Sequence, residues 1–460
     1  MAGDYEEHEV ETLLGEGALL INDGYRAKNS ELSDTGIPFA RAGNIDGGFH
    51  FEDADRVPAH TLAKVGLKRS LPGDVVFTSK GTVGRFAFVR EGTPKFVYSP
   101  QLCYWRSCDA SRIHPRWLFY WMNGREFFLQ FKGVAGQTDM AEYVSLRDQR
   151  AMKITLPPLA EQKAIAAVLG ALDDKIELNR RMGATLEAMA RALFQSWFGN
   201  FDPVRRNLDR RGPKSERGKV KSEIDSPPNL SNFNFHSSLF APLFPDSFQD
   251  SELGPIPKGW SAKRLPEAIE VNPRRTLKAG TVAPYLDMKN LPTQGHSAEE
   301  VIDREFNSGT KFQNGDTLLA RITPCLENGK TGYVDFLKDG EVGWGSTEYI
   351  VLAPKPPLPP QFGYLLARSD ALRSHAIQNM TGTSGRQRVP SECFNTFWLA
   401  VPPPKIAHRF DELTTPMMAK IKANADQSRT LATLRDTLLP KLLSGELSVA
   451  EVEFQPESMP

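Results

Sequence analysis

"LPPLAEQKAIAAVLGALDDKIELN" occupies residues 156–179, and "VPPPKIAHRFDELTTPMMAKIKAN" occupies residues 401–424. Each stretch begins with a proline pair that favours a helix start, and each then shows the spacing of an amphipathic helix. Aligned positions, such as Asn179 and Asn424, lie 245 residues apart throughout. The chain therefore repeats one long helix, and this repeat indicates how the rest of the sequence is organised.

The first helix carries a heptad seam, because its apolar positions recur at alternating intervals of four and three residues, which predicts coiled-coil-type packing. The seam consists of Ile165, Leu169, Leu172, Ile176, Asn179, Gly183, Leu186, Ala190, Leu193 and Trp197. The same positions of the second helix hold Phe410, Thr414, Met417, Ile421, Asn424, Ser428, Leu431, Arg435, Leu438 and Leu442. From these we predict that the helices pair through Ile176, Asn179, Leu186, Ile421, Asn424 and Leu431.

A β-rich stretch precedes each helix. Residues 71–89 and 312–336 both join apolar strands through glycine-containing turns, and Gly73-Asp74 corresponds to Gly315-Asp316. The predicted fold class is α+β, with two β-rich domains that are each followed by a long helix. The predicted boundaries are 1–155 for the first domain, 156–198 for its helix, 199–259 for a linker, 260–400 for the second domain, 401–445 for its helix and 446–460 for a tail.

The linker is basic at its start. Residues 205–221 carry eight basic and two acidic side chains, and we expect a mobile basic loop there or, alternatively, an ordinary solvated linker. An extended segment held by its aromatic residues is expected to follow.

The bulk composition limits the class of protein. The 460 residues are 40% hydrophobic with zero formal net charge, which is typical of a globular chain with several cores and excludes a uniformly basic protein. No run of 18 apolar residues occurs and the first residues are acidic, so we expect neither a membrane span nor a leader peptide. Four cysteines without a CxxC pair predict reduced thiols in the cytoplasm.

Motifs for catalysis are missing from the sequence. Gly329-Lys330-Thr331 resembles the end of a phosphate-binding loop, but Pro324 stands where that loop needs a glycine. The chain contains no HExxH or GxSxG motif, and its eight histidines show no ligand spacing. We therefore predict a binding protein that has no catalytic residue, metal or cofactor of its own.

Basic and amide side chains cluster in two places. Residues 60–90 hold six basic side chains against one acid, and residues 364–388 hold four arginines against one acid. Such side chains bind base edges and phosphates in DNA, although ordinary surface charge is the alternative. The candidate DNA-binding residues are Lys80, Arg85, Gln137, Thr138, Arg321, Lys330, Ser384, Arg386, Gln387 and Arg388. The loop "GQTDMAEY" in the first half lacks arginine, so the two halves would recognise different sequences.

Four stretches of the sequence resemble those of a known protein family. They are residues 24–48, 156–198, 244–260 and 434–447. With them, the chain resembles the DNA-specificity (S) subunits of type I restriction-modification systems. The resemblance implies two target-recognition domains, each recognising one half of a bipartite DNA site. It also implies that the long helices pair as an antiparallel coiled coil with a pseudo-twofold internal repeat, and that this coiled coil sets the gap.

The resemblance further implies partners. Two methyltransferase (M) subunits would dock on this chain, followed by the restriction/translocase (R) subunits. S-adenosylmethionine, ATP and Mg are then expected on those partners, with no cofactor in this chain. Two alternatives are a coiled-coil scaffold without sequence-specific DNA binding and a recognition subunit of a methyltransferase-only system. A fused restriction or modification enzyme is disfavoured by the missing motifs.

The length of the helix agrees with a spacer. Residues 160–198 would span roughly 58 Å at about 1.5 Å per residue, which is on the order of one and a half turns of DNA. In an antiparallel pair only the mid-helix positions meet their own equivalents, so we expect Asn179 and Asn424 to hydrogen-bond each other rather than to face solvent. The polar seam positions of the second helix, Thr414, Ser428 and Arg435, argue against strictly symmetric docking of the partners.

Overall fold

The computed structural model describes residues 5–80, 83–135, 144–211, 241–383 and 385–449. The chain divides into two compact units, Met1–Ile176 with Arg429–Pro460 and Glu177–Ser428. Each unit thus contains one β-rich domain together with parts of both long helices. Within the described ranges, no helix has the length and apolar character needed to cross a membrane.

The first unit contains three small sheets in its described residues. Its strands are β1 (Glu6–Glu9), β2 (Leu19–Asp23), β3 (Ile37–Ala40), β4 (Arg56–Val57), β5 (Val75–Thr78), β6 (Phe86–Phe88), β7 (Val97–Tyr98), β8 (Leu102–Ser107) and β9 (Lys153–Leu156). Its helices are α1 (Val10–Gly15), α2 (Leu62–Val65), α3 (Pro115–Met122), α4 (Arg125–Ala135), α5 (Leu146–Arg150) and the start of α6 (Leu159–Phe194). The main sheet has the antiparallel order β2-β8-β5-β6, a second sheet has the order β4-β3-β7, and β1 pairs with β9.

The second unit is built in the same way. Its strands are β10 (Phe248–Gln249), β11 (Ile256–Pro257), β12 (Ser261–Arg264), β13 (Ile269–Val271), β14 (Val282–Leu286), β15 (Ile302–Glu305), β16 (Thr310–Phe312), β17 (Thr317–Ala320), β18 (Thr331–Tyr333), β19 (Gly343–Gly345), β20 (Tyr349–Pro354) and β21 (Trp398–Val401). Its helices are α7 (Asp202–Arg211), α8 (Leu265–Ala268), α9 (Pro360–Ala367), α10 (Asp370–Gln378) and most of α11 (Pro404–Leu443).

The two β-rich domains share one topology, which confirms the internal repeat. The main-sheet order β2-β8-β5-β6 reappears as β13-β20-β17-β18, and each second sheet contains one parallel pair, β3 with β7 or β14 with β19. The turn before the central strand is also shared. Gly73 and Gly315 have φ values of 93° and 90°, and the buried carboxylates of Asp74 and Asp316 each accept the backbone N–H three residues earlier. The α+β prediction is therefore confirmed.

The long helices begin and end where local chemistry dictates. α6 starts directly after Pro157-Pro158, and α11 starts at a proline, which has no N–H to leave unpaired in a first turn. α11 ends at Leu443, and two residues later Gly445 has a φ of 71°, the left-handed conformation that commonly closes a helix. All twenty predicted seam positions are buried or half-buried, which confirms the heptad interpretation.

Within each unit the helices run antiparallel. In the first unit, Ile165 and Leu169 near the start of α6 share a hydrophobic core with Leu442 near the end of α11. In the second unit, the ring centroid of Phe194 near the end of α6 lies 6.3 Å from that of Phe410 near the start of α11. Burying one apolar side chain of this size stabilises the fold by roughly 1.5–3 kcal/mol. Within each unit, the hydrophobic core therefore holds the helices against the β-rich domain.

The linker departs from the prediction at its start. The expected basic loop is wrong for residues 205–211, because they belong to the helix α7, and residues 212–240 lie outside the described ranges. The expected aromatic anchoring is observed where the chain is described again. The Phe244 ring is buried 4.9 Å from the Trp197 ring, and Phe248 lies 6.2 Å from Phe201.

Candidate nucleic-acid interface

In the first domain, three segments meet where strand β5 ends. The backbone N–H of Ser79 donates to the carbonyl of Gln101 at 3.0 Å, and the Ser79 carbonyl accepts the N–H of Val144 at 3.2 Å. One residue earlier, the N–H of Thr78 donates to the carbonyl of Arg85 at 3.0 Å, which closes the β5–β6 hairpin. We call Ser79, Arg85, Gln101 and Val144 the first strand-end cluster.

The second domain repeats these bonds where strand β17 ends. The N–H of Arg321 donates to the carbonyl of Glu348 at 2.9 Å, and the Arg321 carbonyl accepts the N–H of Val389 at 2.8 Å. The N–H of Ala320 donates to the carbonyl of Lys330 at 3.1 Å. Arg321, Lys330, Glu348 and Val389 form the second strand-end cluster. The two clusters therefore share one backbone framework but differ in their polar side chains.

The predicted DNA-binding residues of the first domain are only partly described. Lys80 is exposed and directly follows the cluster, whereas Arg85 is half-buried at the base of the hairpin with its guanidinium 3.2 Å from the carboxylate of Asp46. Gln137 and Thr138 lie outside the described residues. Contact of these residues with DNA stays a prediction.

In the second domain, the side chain of one predicted residue is bonded to the protein itself, and that of another is partly buried. The Lys330 ammonium, at the position equivalent to Arg85, donates to the backbone carbonyls of Met288 at 2.7 Å and Lys289 at 2.9 Å. Arg321 is half-buried, and its Nε atom is buried without a hydrogen-bond partner among the described residues. The ammonium of Lys330 thus holds a loop, whereas the Nε–H of Arg321 forms no hydrogen bond among the described residues.

The arginine-containing loop joins the same cluster. Arg386 is exposed, Gln387 and Arg388 are half-buried, and Ser384 lies outside the described residues. The Arg388 guanidinium forks onto the carboxylate of Glu348, with Nε–Oε1 and Nη2–Oε1 distances of 2.9 and 2.6 Å. This guanidinium holds the pKa of Glu348 below its usual range. DNA contact through this loop stays a prediction.

The first domain presents less positive charge on its surface than the number of basic residues in 60–90 indicates. Four of the six basic residues in 60–90 form ion pairs with carboxylates from elsewhere in the sequence, namely Lys64 with Glu31, Lys68 with Asp23, Arg85 with Asp46 and Arg90 with Asp174. These pairings are tertiary, so a window along the chain cannot reveal them. The charge presented to a polyanion is correspondingly smaller than the count of six against one.

Sequence reasoning missed three polar members of the clusters, Ser79, Gln101 and Glu348. Their signal lies in the stretches 98–105 and 344–352, where "SPQ" aligns with "STE" at the start of strands β8 and β20. Pairing these positions shows that Gln101 and Glu348 are equivalents. Gln101 accepts the backbone N–H of Ala42 at 3.3 Å, whereas Glu348 binds an arginine.

At the helix pair, the expected bond between the two asparagine side chains is not the one formed. Asn179 and Asn424 are both buried, and the Asn179 Nδ2 atom donates instead to the backbone carbonyl of Asn424 at 3.4 Å, to Gln427 Oε1 at 2.9 Å and to Ser428 Oγ at 3.3 Å. Asn179 Oδ1 and Asn424 Nδ2 are buried without a partner among the described residues. Ile421 is buried, and Ile176, Leu186 and Leu431 are half-buried.

The other polar seam residues are satisfied by partners within their own units. In the second unit, the buried Thr414 hydroxyl accepts from Gln361 on α9 at 2.8 Å. In the first unit, Arg435 on α11 pairs with Asp173 on α6 at 2.8 Å, and Tyr120 on α3 donates to the same carboxylate at 2.7 Å. These contacts bind each β-rich domain to the helices of its unit.

Metal chemistry finds no support in the described part of the chain, which contains no group of three or more His, Cys, Asp or Glu side chains able to hold an ion. The four cysteines are all free thiols, and Cys103 and Cys393 are buried. Burial raises the pKa of the Cys393 thiol to about 11, so this sulfur is an inert part of the core.

Comparison with known proteins identifies the fold. Residues 19–188 match the family model of the type I restriction modification DNA specificity domain. The chain is 22% identical over 413 residues to the type I restriction enzyme HindI specificity subunit of Haemophilus influenzae, covering 84% of this chain and 88% of that protein. It is 23% identical over 393 residues to the MjaIX specificity subunit of Methanocaldococcus jannaschii, covering 83% and 79%.

A solved structure agrees over almost the whole length. The fold is similar to the crystal structure of the type I restriction-modification S subunit from M. genitalium, with a TM-score of 0.52, 13% identity and coverage of 96% of each chain. At this identity the likeness concerns the fold alone. Residues 19–188 carry the match to the type I DNA specificity domain, and both relatives are specificity subunits of type I restriction enzymes, in agreement with the resemblance seen in the sequence.

Proposed function

We propose that this chain is the DNA-recognition subunit of a type I restriction-modification complex, in which each β-rich domain recognises one half of a bipartite site. The observation that carries the proposal is the repeated framework of the strand-end clusters. Two copies of one backbone arrangement carry Ser79, Arg85 and Gln101 in one domain and Arg321, Lys330 and Glu348 in the other. Equivalent scaffolds with different polar side chains suit a site whose two halves differ in sequence.

The proposed DNA-binding set keeps the residues expected from the sequence, and these are Lys80, Arg85, Gln137, Thr138, Arg321, Lys330, Ser384, Arg386, Gln387 and Arg388. The exposed Lys80 and Arg386 are the members whose side chains are best placed to reach DNA. The antiparallel helices set the gap between the half-sites, with Asn179 and Asn424 fixing their register.

The chain itself is a non-catalytic component of the complex. We propose that it docks two methyltransferase subunits, which carry S-adenosylmethionine, and that restriction/translocase subunits with ATP and Mg join through them. The proposed domain boundaries remain those derived from the sequence. Such a complex acts on chromosomal and incoming DNA, and its place of action is then the cytoplasm.

Methylation mapping tests this function. The chain is expressed with its companion methyltransferase in a host that lacks other adenine methylation, and the modified genome is sequenced. We expect adenine methylation in a split motif, with two short specific parts around a fixed gap. A well-formed complex that leaves the DNA unmodified, or that marks it without a split motif, would favour the scaffold alternative instead.

A further inference from the structure

The loop of residues 381–388 in the second domain is held at its base by backbone bonds. Thr381 and Arg388 exchange two N–H···O bonds of 2.9 Å, and the N–H of Thr323 donates to the carbonyl of Gln387 at 3.0 Å. Gly382 and Gly385 have φ values of 124° and 84°, conformations that side chains with a Cβ rarely adopt. Arg386 follows Gly385, and its backbone N–H donates to the carbonyl of Thr383 at 3.0 Å.

The two arginines of this loop have different surroundings. Arg388 donates through Nε and Nη2 to the Glu348 carboxylate at distances of 2.6–3.0 Å, and the Glu348 side chain is only 23% exposed. A two-point guanidinium–carboxylate pair fixes both side chains. Arg386 is exposed, and in the part of the chain that the structure describes no hydrogen bond or ion pair holds its guanidinium.

This arrangement limits what Arg388 can do at a DNA surface. Two-point contact with a guanine needs two N–H groups on one edge of the guanidinium. The Nε–Nη2 edge of Arg388 faces Glu348, which leaves only the Nη1–Nη2 edge for a base, and the negative charge of Glu348 would repel a nearby phosphate. Arg386 is exposed and forms no such pair among the described residues, and it acts on Glu348 only through its charge, which adds to that of Arg388 in lowering the pKa of this carboxylate.

We propose that Glu348 and Arg388 are positioning residues, which together hold the 381–388 loop so that Arg386 contacts the DNA of one half-site. The inference rests on the proposed function, and it assigns Arg388 to the loop rather than to the bases. Glu348 acts through Arg388 and through the Arg321 backbone N–H that its carbonyl accepts.

The first domain has a different residue at the position of Glu348. The equivalent of Glu348 in the first domain is Gln101, whose neutral side chain accepts the backbone N–H of Ala42 at 3.3 Å. An amide carries no net charge with which to hold an arginine. Changing Glu348 should therefore alter recognition of one half-site and leave the other unchanged.

Methylation mapping of the full complex provides the test. The variants are Glu348→Gln, Arg388→Gln, Arg386→Gln and the charge exchange Glu348→Arg with Arg388→Glu. We expect Arg386→Gln to lower methylation at the preferred half-site by about tenfold or more, the value of a lost two-point base contact. Glu348→Gln and Arg388→Gln should each relax the same half-site, and the exchange should restore most of its selectivity.

Controls separate the possible failures. Glu16→Gln removes an ion pair with a more exposed carboxylate, Arg112 with Glu16 at 2.8 Å, outside the clusters, and should leave both half-sites unchanged. If a variant complex does not assemble, Arg388→Lys keeps the charge, loses the two-point fork and serves in its place. A wild-type complex without a split motif would overturn the proposed function.

Two results would overturn the inference while that function stands. One is a split motif that Glu348→Gln leaves unchanged in both halves. The other is a charge exchange that is as damaging as Arg388→Gln, because Arg388 would then act on the DNA itself.

Discussion

Asn179 and Asn424 occupy equivalent seam positions, yet their amides are satisfied to different degrees. The Asn179 Nδ2 atom has three acceptors within 3.4 Å, whereas the Asn424 Nδ2 atom is buried with none among the described residues. The two equivalent amide groups therefore differ: the Nδ2 atom of Asn179 donates hydrogen bonds, whereas the Nδ2 atom of Asn424 has no acceptor among the described residues. A seam asparagine of this kind fixes register while lowering stability.

The asymmetry predicts different effects for the two single substitutions. Asn424→Leu removes an unsatisfied buried amide, which costs about 1–3 kcal/mol, so the Tm should rise by roughly 2–4 °C per kcal/mol gained. Asn179→Leu should raise the Tm less, because it also removes the bonds to Gln427 and Ser428. Thermal unfolding of the purified subunit checks the order, and a larger gain for Asn179→Leu would contradict it.

The double variant tests register. Asn179→Leu with Asn424→Leu should raise thermal stability and loosen the preferred spacing between half-sites, because apolar seams tolerate shifted pairings. The spacing is measured on a panel of DNA duplexes whose gap varies by single base pairs. A double variant with an unchanged spacing preference would show that the asparagines do not set the register.

At the scale of the elements, the turns before β5 and β17 match closely in the two halves of the repeat. A Cβ added to Gly73 would lie 3.3 Å from the Pro115 Cβ, and one added to Gly315 would lie 3.3 Å from the Pro360 Cβ. In both turns φ is also close to 90°. These glycines are needed for the same conformational and steric reasons.

Gly73→Ala and Gly315→Ala should therefore destabilise their own units by similar amounts, on the order of 1–3 kcal/mol, the range for a strained non-glycine residue. Hydrogen exchange resolves the effect domain by domain. Gly92→Ala is the matched control, since nothing lies within 4 Å of its added Cβ. If Gly92→Ala lowered the free energy of unfolding as much as Gly73→Ala, the positive φ and the close contact of Gly73 would not explain the loss of stability.

Arg435 is a charged residue at a seam position where the heptad pattern predicts an apolar one, and its charge is paired. Its counterpart 245 residues earlier is Ala190, so pattern alone favours an apolar side chain. In the structure it pairs with Asp173, whose side chain is only 13% exposed and also binds Tyr120. Burial raises the pKa of the Tyr120 hydroxyl first, and Asp173 raises it further, so the phenol stays a donor.

Arg435→Leu should consequently destabilise the first unit even though it restores the apolar pattern. Leaving the Asp173 carboxylate short of its charged partner costs on the order of 1–3 kcal/mol. Adding Asp173→Asn to Arg435→Leu should recover part of the loss, because a neutral amide needs no counter-charge. Urea unfolding measures both variants, and an Arg435→Leu chain as stable as the wild type would refute this role.

For the whole molecule, the sequence was informative where the signal is local and repeated. The heptad seam revealed both long helices because its period persists over forty residues of α11. Strands such as β4, β7 and β10 are two residues long and carry no period, so sheet order could not be inferred. The pairing of Lys68 with Asp23, or of Arg388 with Glu348, joins residues at least forty positions apart and depends on the tertiary fold.

The spacer role of the helices leads to the last prediction. Seven residues inserted after Ile176 in α6 and seven after Ser428 in α11, where the two units divide, keep the heptad phase of both helices. Each insertion adds about 10.5 Å of helix at about 1.5 Å per residue, equivalent to about three base pairs at about 3.4 Å each. If the helices set the gap, methylation mapping should recover the same two half-sites with a gap longer by about three base pairs.

An insertion in α6 alone should abolish methylation, because the seams of the pair no longer match. A doubly extended chain that keeps the original gap would show that something other than the helix pair sets the separation.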